Sequence, residues 1–150
     1  KQSIADNVAI TVLDRLADAI GLVAPSRRSG LASDWIARLG IRAPNADAAV
    51  LTLSGGNQQR VVLAKWLAID PKVLILDSPT VGVDVRNKQG IYELVRRLAA
   101  QGVAILLISD EVREVYYNSD RILQMRNGRI ISEFIPGVAD QSALSDALYV

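Results

Sequence analysis

The pattern of apolar and polar positions changes character near residue 50. Before it, apolar residues fall at loose helical spacing. The region reads as helices with loose joints: IADNVAITVLDRLADAI, from Ile4, carries apolar residues at mixed helical spacing, GLVAPSRRSG breaks the pattern, and SDWIARLG reads as a second short helix with Ser33 as N-cap and Gly40 as its stop. No strand is predicted there. From Ser54 onward the elements alternate: a helix through RVVLAKWLA ends at Asp70-Pro71, the apolar run VLILD (Val73 to Asp77) is a strand, and a helix with Ile91, Leu94, Val95 and Leu98 at i, i+3, i+4, i+7 closes at Gly102. The strand VAILLIS, a short helix from about Glu111 and the strands ILQMR and RIISEF follow, the last two joined by the tight-hairpin dipeptide Asn127-Gly128. QSALSDALYV reads as a tail helix.

Strands without polar alternation require burial on both faces, so the pattern predicts an α/β fold with a mostly parallel sheet flanked by helices. The expected organisation is a helical appendage over residues 1–52, an alternating body over 53–136 and a tail over 137–150. Half of the 150 residues are apolar, enough for a real core in one compact domain.

Composition narrows the chemistry. The formal charge is only +1, so no global field attracts nucleic acid or an anionic membrane, and nucleic acid is not expected as a partner. The absence of cysteine removes disulfides, zinc-thiolate sites and thiol catalysis, and fits a reducing compartment. The absence of histidine excludes any imidazole mechanism unless another chain supplies the ring. Runs such as VAILLIS fall far short of the roughly 20 residues of a membrane span, and KQSIADN lacks a signal-peptide layout, so a soluble, unexported chain is expected.

Asp77 closes an apolar strand, where the carboxyl ends of α/β strands hold ligands. A carboxylate so placed suits a hydrated Mg²⁺; equally, Asp-Ser-Pro-Thr is good turn chemistry. Twenty-three residues earlier, in LSGGNQQ, Ser54 can cap a helix whose Gly55 and Gly56 leave the first amides open to an anion, although SGG by itself reads as an ordinary capped helix. Gln58, Gln59 and Arg60 read as solvated, Arg96 and Arg97 as surface partners of Glu93, and Tyr116, Tyr117 and Trp66 as packing.

Taken as one run, LSGGNQQRVVLAKWLAIDPKVLILDSPTVGVD resembles the signature, Walker B and D-loop succession of ABC-type ATPases. The signature would be Leu53, Ser54, Gly55, Gly56 and Asn57, Walker B Val73 to Asp77, and the D-loop Val81 to Asp84. With ISDEVREV the wording is most similar to the second nucleotide-binding half of the ATPases of simple-sugar importers of the ribose, galactose and xylose type. The resemblance implies a P-loop NTPase fold, ATP and Mg²⁺ as ligands, and a peripheral position on the cytoplasmic face of the cell membrane. Implied partners are an N-terminal or second ATPase half, permease subunits docking on residues 1–52, and indirectly a sugar-binding protein.

Three departures qualify that implication. The Gly-Lys-Ser/Thr phosphate loop is absent, since none of Lys1, Lys65, Lys72 and Lys88 follows a glycine. The chain therefore reads as the C-terminal part of a longer polypeptide, expected to be inactive alone and to leave a sheet edge open or paired with another copy. The residue after the Walker B aspartate, commonly a water-polarising glutamate, is Ser78, and the switch histidine aligns on Asp110. By the resemblance, Asp77 holds Mg²⁺ through water, while Ser54, Gly55, Gly56 and Asp84 serve ATP held by the opposite half. A non-catalytic module docking on a permease, and an ABC ATPase outside transport, are the alternatives.

Overall fold

The computed structural model describes residues 2–83 and 85–148, and their side chains except those of residues 85–87, 143 and 148. It divides into two compact units, one of residues 1–72 and 80–103, the other of residues 73–79 and 104–150.

The first unit is helical: α1 (Ile4–Ala9), α2 (Leu13–Leu16), α3 (Pro25–Leu39), a 3₁₀ turn at Val50–Thr52, α4 (Gly55–Leu67) and α5 (Val85–Ala100). α1 packs on both α3 and α4, burying Ile4, Val8, Ala32, Trp35, Val61 and Ala64. α5 buries Ile91, Leu94, Val95 and Leu98, as its spacing predicts.

α1 starts with a reciprocal capping box: the Asp6 amide donates to the Ser3 hydroxyl at 3.0 Å, and the Ser3 amide donates to the Asp6 carboxylate at 3.1 Å. These bonds from Ser3, with help from the Arg28 guanidinium 2.8 Å away, hold the Asp6 carboxyl below its ordinary value of 3.8. A lowered carboxyl stabilises the fold fully above its unfolded value, and that contribution is lost as pH falls through the folded one. Ser3→Ala is expected to cost about 1 kcal/mol at pH 7, and less below pH ~3.8, in urea unfolding.

Two segments differ in detail from the sequence expectation. IADNVAITVLDRLADAI divides into α1 and α2, because Thr11 donates its hydroxyl to the Lys65 carbonyl at 2.7 Å and Arg15 donates to the Ala68 carbonyl at 3.2 Å. Asp18 then accepts the amides of Ile20 and Leu22 and turns the chain. α3 begins eight residues before Ser33, at Pro25, whose ring suits the first helical position and needs no amide partner. Gly40 does stop it, at φ 60°.

The second unit holds β1 (Val73–Asp77) paired in parallel with β2 (Ala104–Ile108), then α6 (Val112–Asn118), the hairpin of β3 (Ile122–Arg126) and β4 (Arg129–Phe134), and α7 (Gln141–Leu148). Asn127 and Gly128 turn the hairpin at φ 49° and 75°, the twist a two-residue loop requires. Tyr116 donates to the Ala139 carbonyl at 3.0 Å and Gln124 to the Ala147 carbonyl at 2.6 Å, fastening the segment that carries α7.

Burial of β1 on both faces is not found. Leu74 and Leu76 are buried, while Val73 and Ile75 are 63% and 62% exposed beside Ala104 and Leu106 of β2. Among the described residues no further strand joins this pair.

Candidate functional site

β1 and β2 run in register from Val73 beside Ala104 to Asp77 beside Ile108, so both strands end at one rim. Asp77 stands there with its carboxylate exposed, and Ser78 follows at φ 48°. This left-handed turn is uncommon for a residue with a Cβ, and such strain gathers at sites where a side chain must be aimed. It is held because the Ser78 amide donates to the Ile108 carbonyl at 2.8 Å. The Ser78 hydroxyl donates back to Asp77 Oδ1 at 3.1 Å, so its proton faces the carboxylate.

Asp110, also exposed, lies two residues beyond Ile108 in the loop that leaves β2. Each end of that loop is bonded. The Glu111 amide donates to the Ser109 hydroxyl at 3.1 Å, and that hydroxyl donates to the carboxylate of Glu114, which is only 4% exposed. The structure thus brings Asp77, Ser78 and the Asp110 loop to one rim.

The signature residues lie in the other unit. Leu53 is extended, Ser54 occupies the N-cap position, and α4 begins at Gly55. The Ser54 side chain does not cap the helix; it accepts from Asn57 Nδ2 at 2.9 Å, while the Ser54 carbonyl takes the amides of Asn57 and Gln58. Asn57 Oδ1 in turn accepts the Arg42 amide at 2.9 Å. The amides of Gly55 and Gly56 precede the first intrahelical donor, Asn57, leaving a positive helix end. A Cβ on Gly55 would stand 3.3 Å from the Gly82 carbonyl, so the chain passes close there. Asp84 lies outside the described residues.

Sequence reasoning missed two features. Arg60, read as solvated, donates to the carbonyls of Leu39 and Gly40, each at 2.9 Å, and so closes the end of α3. Its guanidinium fills the space where a Cβ on Gly90 of α5 would sit. A glycine inside a strongly periodic helix was the available signal. The other is Glu114, an acidic residue that no motif marks. Trp66, read as packing, is half exposed beside Lys65.

Asp77 fits a magnesium ion held mainly by water and phosphate oxygens, which needs one or two carboxylates. Among the described residues no group of three or more His, Cys, Asp or Glu side chains that could hold a metal ion occurs.

The profile of the ABC transporter family matches residues 2–81. The chain belongs to that family. As an ABC family member it is 44% identical over 133 residues to a ribose import ATP-binding protein of Rhizobium etli, covering 89% of this chain and 26% of that one. To the ribose import ATP-binding protein of Geobacillus kaustophilus it is 45% identical over 130 residues, 87% of this chain and 26% of that one. The chain thus spans about a quarter of the length of these curated relatives.

Solved structures agree on the fold of this ABC chain. An ATP-binding cassette of an ABC transporter superposes with a TM-score of 0.81 at 22% identity, over all of this chain and 63% of the other. A dimeric cassette in a post-hydrolysis state, bound to ADP and phosphate, gives 0.73 at 23% identity, over 89% of this chain and 56% of the other. The fold is that of the ABC ATPase cassette, a P-loop NTPase with flanking helices.

Proposed function

We propose that the chain forms part of an ATP-binding subunit that energises import of a sugar or related small solute through an ABC transporter. The observation that carries this reading is the 44–45% identity to ribose import ATP-binding proteins across nearly nine-tenths of the chain. ATP and Mg²⁺ are the ligands, and phosphoryl transfer to water is the reaction of the assembled transporter.

Within that assembly, Asp77 holds Mg²⁺ through its water, and the ion, when bound, offsets charge on the phosphates. Ser54, Gly55 and Gly56, supported by Leu53 and Asn57, present amides and a hydroxyl to the γ-phosphate of ATP held by the opposite half, and Asp84 borders that site. This half is itself a weak catalyst. The Ser78 proton faces Asp77, a hydroxyl is a poor base near neutral pH, and Asp110 brings negative charge where an imidazole would assist.

Residues 1–52 form the helical subdomain that docks on the permease, residues 53–136 the signature helix and remaining cassette core, and residues 137–150 the tail. The subunit lies peripherally on the cytoplasmic face of the cell membrane; no helix among the described residues is long and apolar enough to cross a membrane.

The test is recovery of the tagged polypeptide from its own cells in mild detergent. It is expected to bring down permease subunits and a second nucleotide-binding half, with ATP turnover by the recovered assembly. Recovery without any membrane protein would overturn the importer reading and favour an ABC ATPase outside transport.

A further inference from the structure

We infer that Glu114 is a positioning residue, which fixes the Ser109–Glu111 loop and thereby the rim that carries Asp77, Ser78 and Asp110. For the reaction, this rests on the ATPase reading above. The starting observation is a carboxylate only 4% exposed on the seven-residue helix α6. Burying a carboxylate is costly unless hydrogen bonds replace its water, so its retention calls for a structural consequence at the place where it bonds.

That place is the end of β2. The Ser109 hydroxyl donates to the Glu114 carboxylate, and this aims its lone pairs at the Glu111 amide, which donates to it at 3.1 Å. The Glu114 amide closes the ring by donating to the Glu111 carbonyl at 2.9 Å. Asp110 sits between the two bonded residues, so its backbone is held from both sides.

The restraint extends to β1. Ile108, immediately before Ser109, accepts the Ser78 amide at 2.8 Å and thereby supports the left-handed turn of Ser78. Glu114 therefore acts on the reacting end of the sheet through Ser109 and Ile108. What the Ser109 hydroxyl bonds to at position 114 is an acceptor for its proton. Glutamine supplies one and leucine does not.

Amide hydrogen exchange on the ¹⁵N-labelled chain reads this directly. Glu114→Leu is expected to speed exchange of the Glu111 and Ser78 amides about tenfold or more, with the Ile91 amide unchanged, whereas Glu114→Gln keeps both slow. Ser109→Ala provides a second route to the same loss, and the Ser109→Ala/Glu114→Leu double variant is expected to be no faster than either single one. Uniform acceleration across the chain, additive effects, or a glutamine variant as fast as leucine would overturn the assignment.

In the assembled transporter carrying Ser78→Glu, in which the Asp77 site is expected to turn over, Glu114→Leu is expected to lower kcat several-fold with KM unchanged, and Glu114→Gln to restore it. A loosened loop with kcat intact would overturn the catalytic part of the inference. An unsubstituted assembly without ATP turnover would count against the ATPase reading, while the exchange experiment would still decide the role of Glu114 in holding the loop.

Discussion

Ser78→Glu in the assembled transporter is expected to raise ATP turnover at the Asp77 site by about 10²-fold or more, the scale on which a positioned general base acts. Such a gain corresponds to about 2.7 kcal/mol of barrier. Opposing it is the left-handed backbone at position 78, φ 48°, which disfavours any side chain with a Cβ by roughly 1–2 kcal/mol. Serine already bears that cost, so the substitution adds little to it. The glutamate also removes the hydroxyl that donates to Asp77, which leaves the carboxylate freer to serve the metal. Single-turnover assays at saturating ATP and Mg²⁺ separate this effect from nucleotide affinity. Unchanged turnover would mean that Ser78 does not limit the site, and the view of this half as a degenerate catalyst would fail.

Ile91→Ala is expected to destabilise the chain by about 2–5 kcal/mol, since Ile91 is fully buried and its loss leaves a cavity in a packed core. Set against a total stability of about 5–15 kcal/mol, this is enough to move the thermal midpoint by on the order of 10 °C. Ile75→Ala removes the same side chain from a position 62% exposed and should change stability by no more than about 0.5 kcal/mol. Calorimetry or circular dichroism melts of the two variants check the contrast. Equal losses would show that the open face of β1 is covered in solution.

The contrast between these two isoleucines marks where the sequence is informative. Helical spacing places Ile91 correctly because the amphipathic face of α5 has a partner within its own unit. The run VLILD identifies a strand equally well, yet its apolar residues do not reveal which face is covered, since that depends on what packs there. The hairpin was legible to the residue because Asn127-Gly128 admits few backbone turns. The break between α1 and α2 was not, because it depends on Thr11 and Arg15 bonding to carbonyls more than fifty residues away.

Site residues divide in the same way. Asp77, Ser78 and the Gly55-Gly56 pair belong to short contiguous motifs, and their backbone roles follow from local chemistry: a strand end, a tight turn, a helix start. Glu114 and Arg60 act at a distance through one hydroxyl or two carbonyls, and no local spacing announces them. Ser54 shows a middle case, with the expected position at the helix start but with Asn57, rather than a helix amide, as the partner of its hydroxyl.

Arg60 also has a mechanical meaning. Its guanidinium grips the last carbonyls of α3 from the first turns of α4, in a slot kept open by Gly90. The two helices are thereby pinned at one joint. Without that guanidinium the Leu39 and Gly40 carbonyls would lose their shared donor, and the end of α3 its hydrogen bonds to α4.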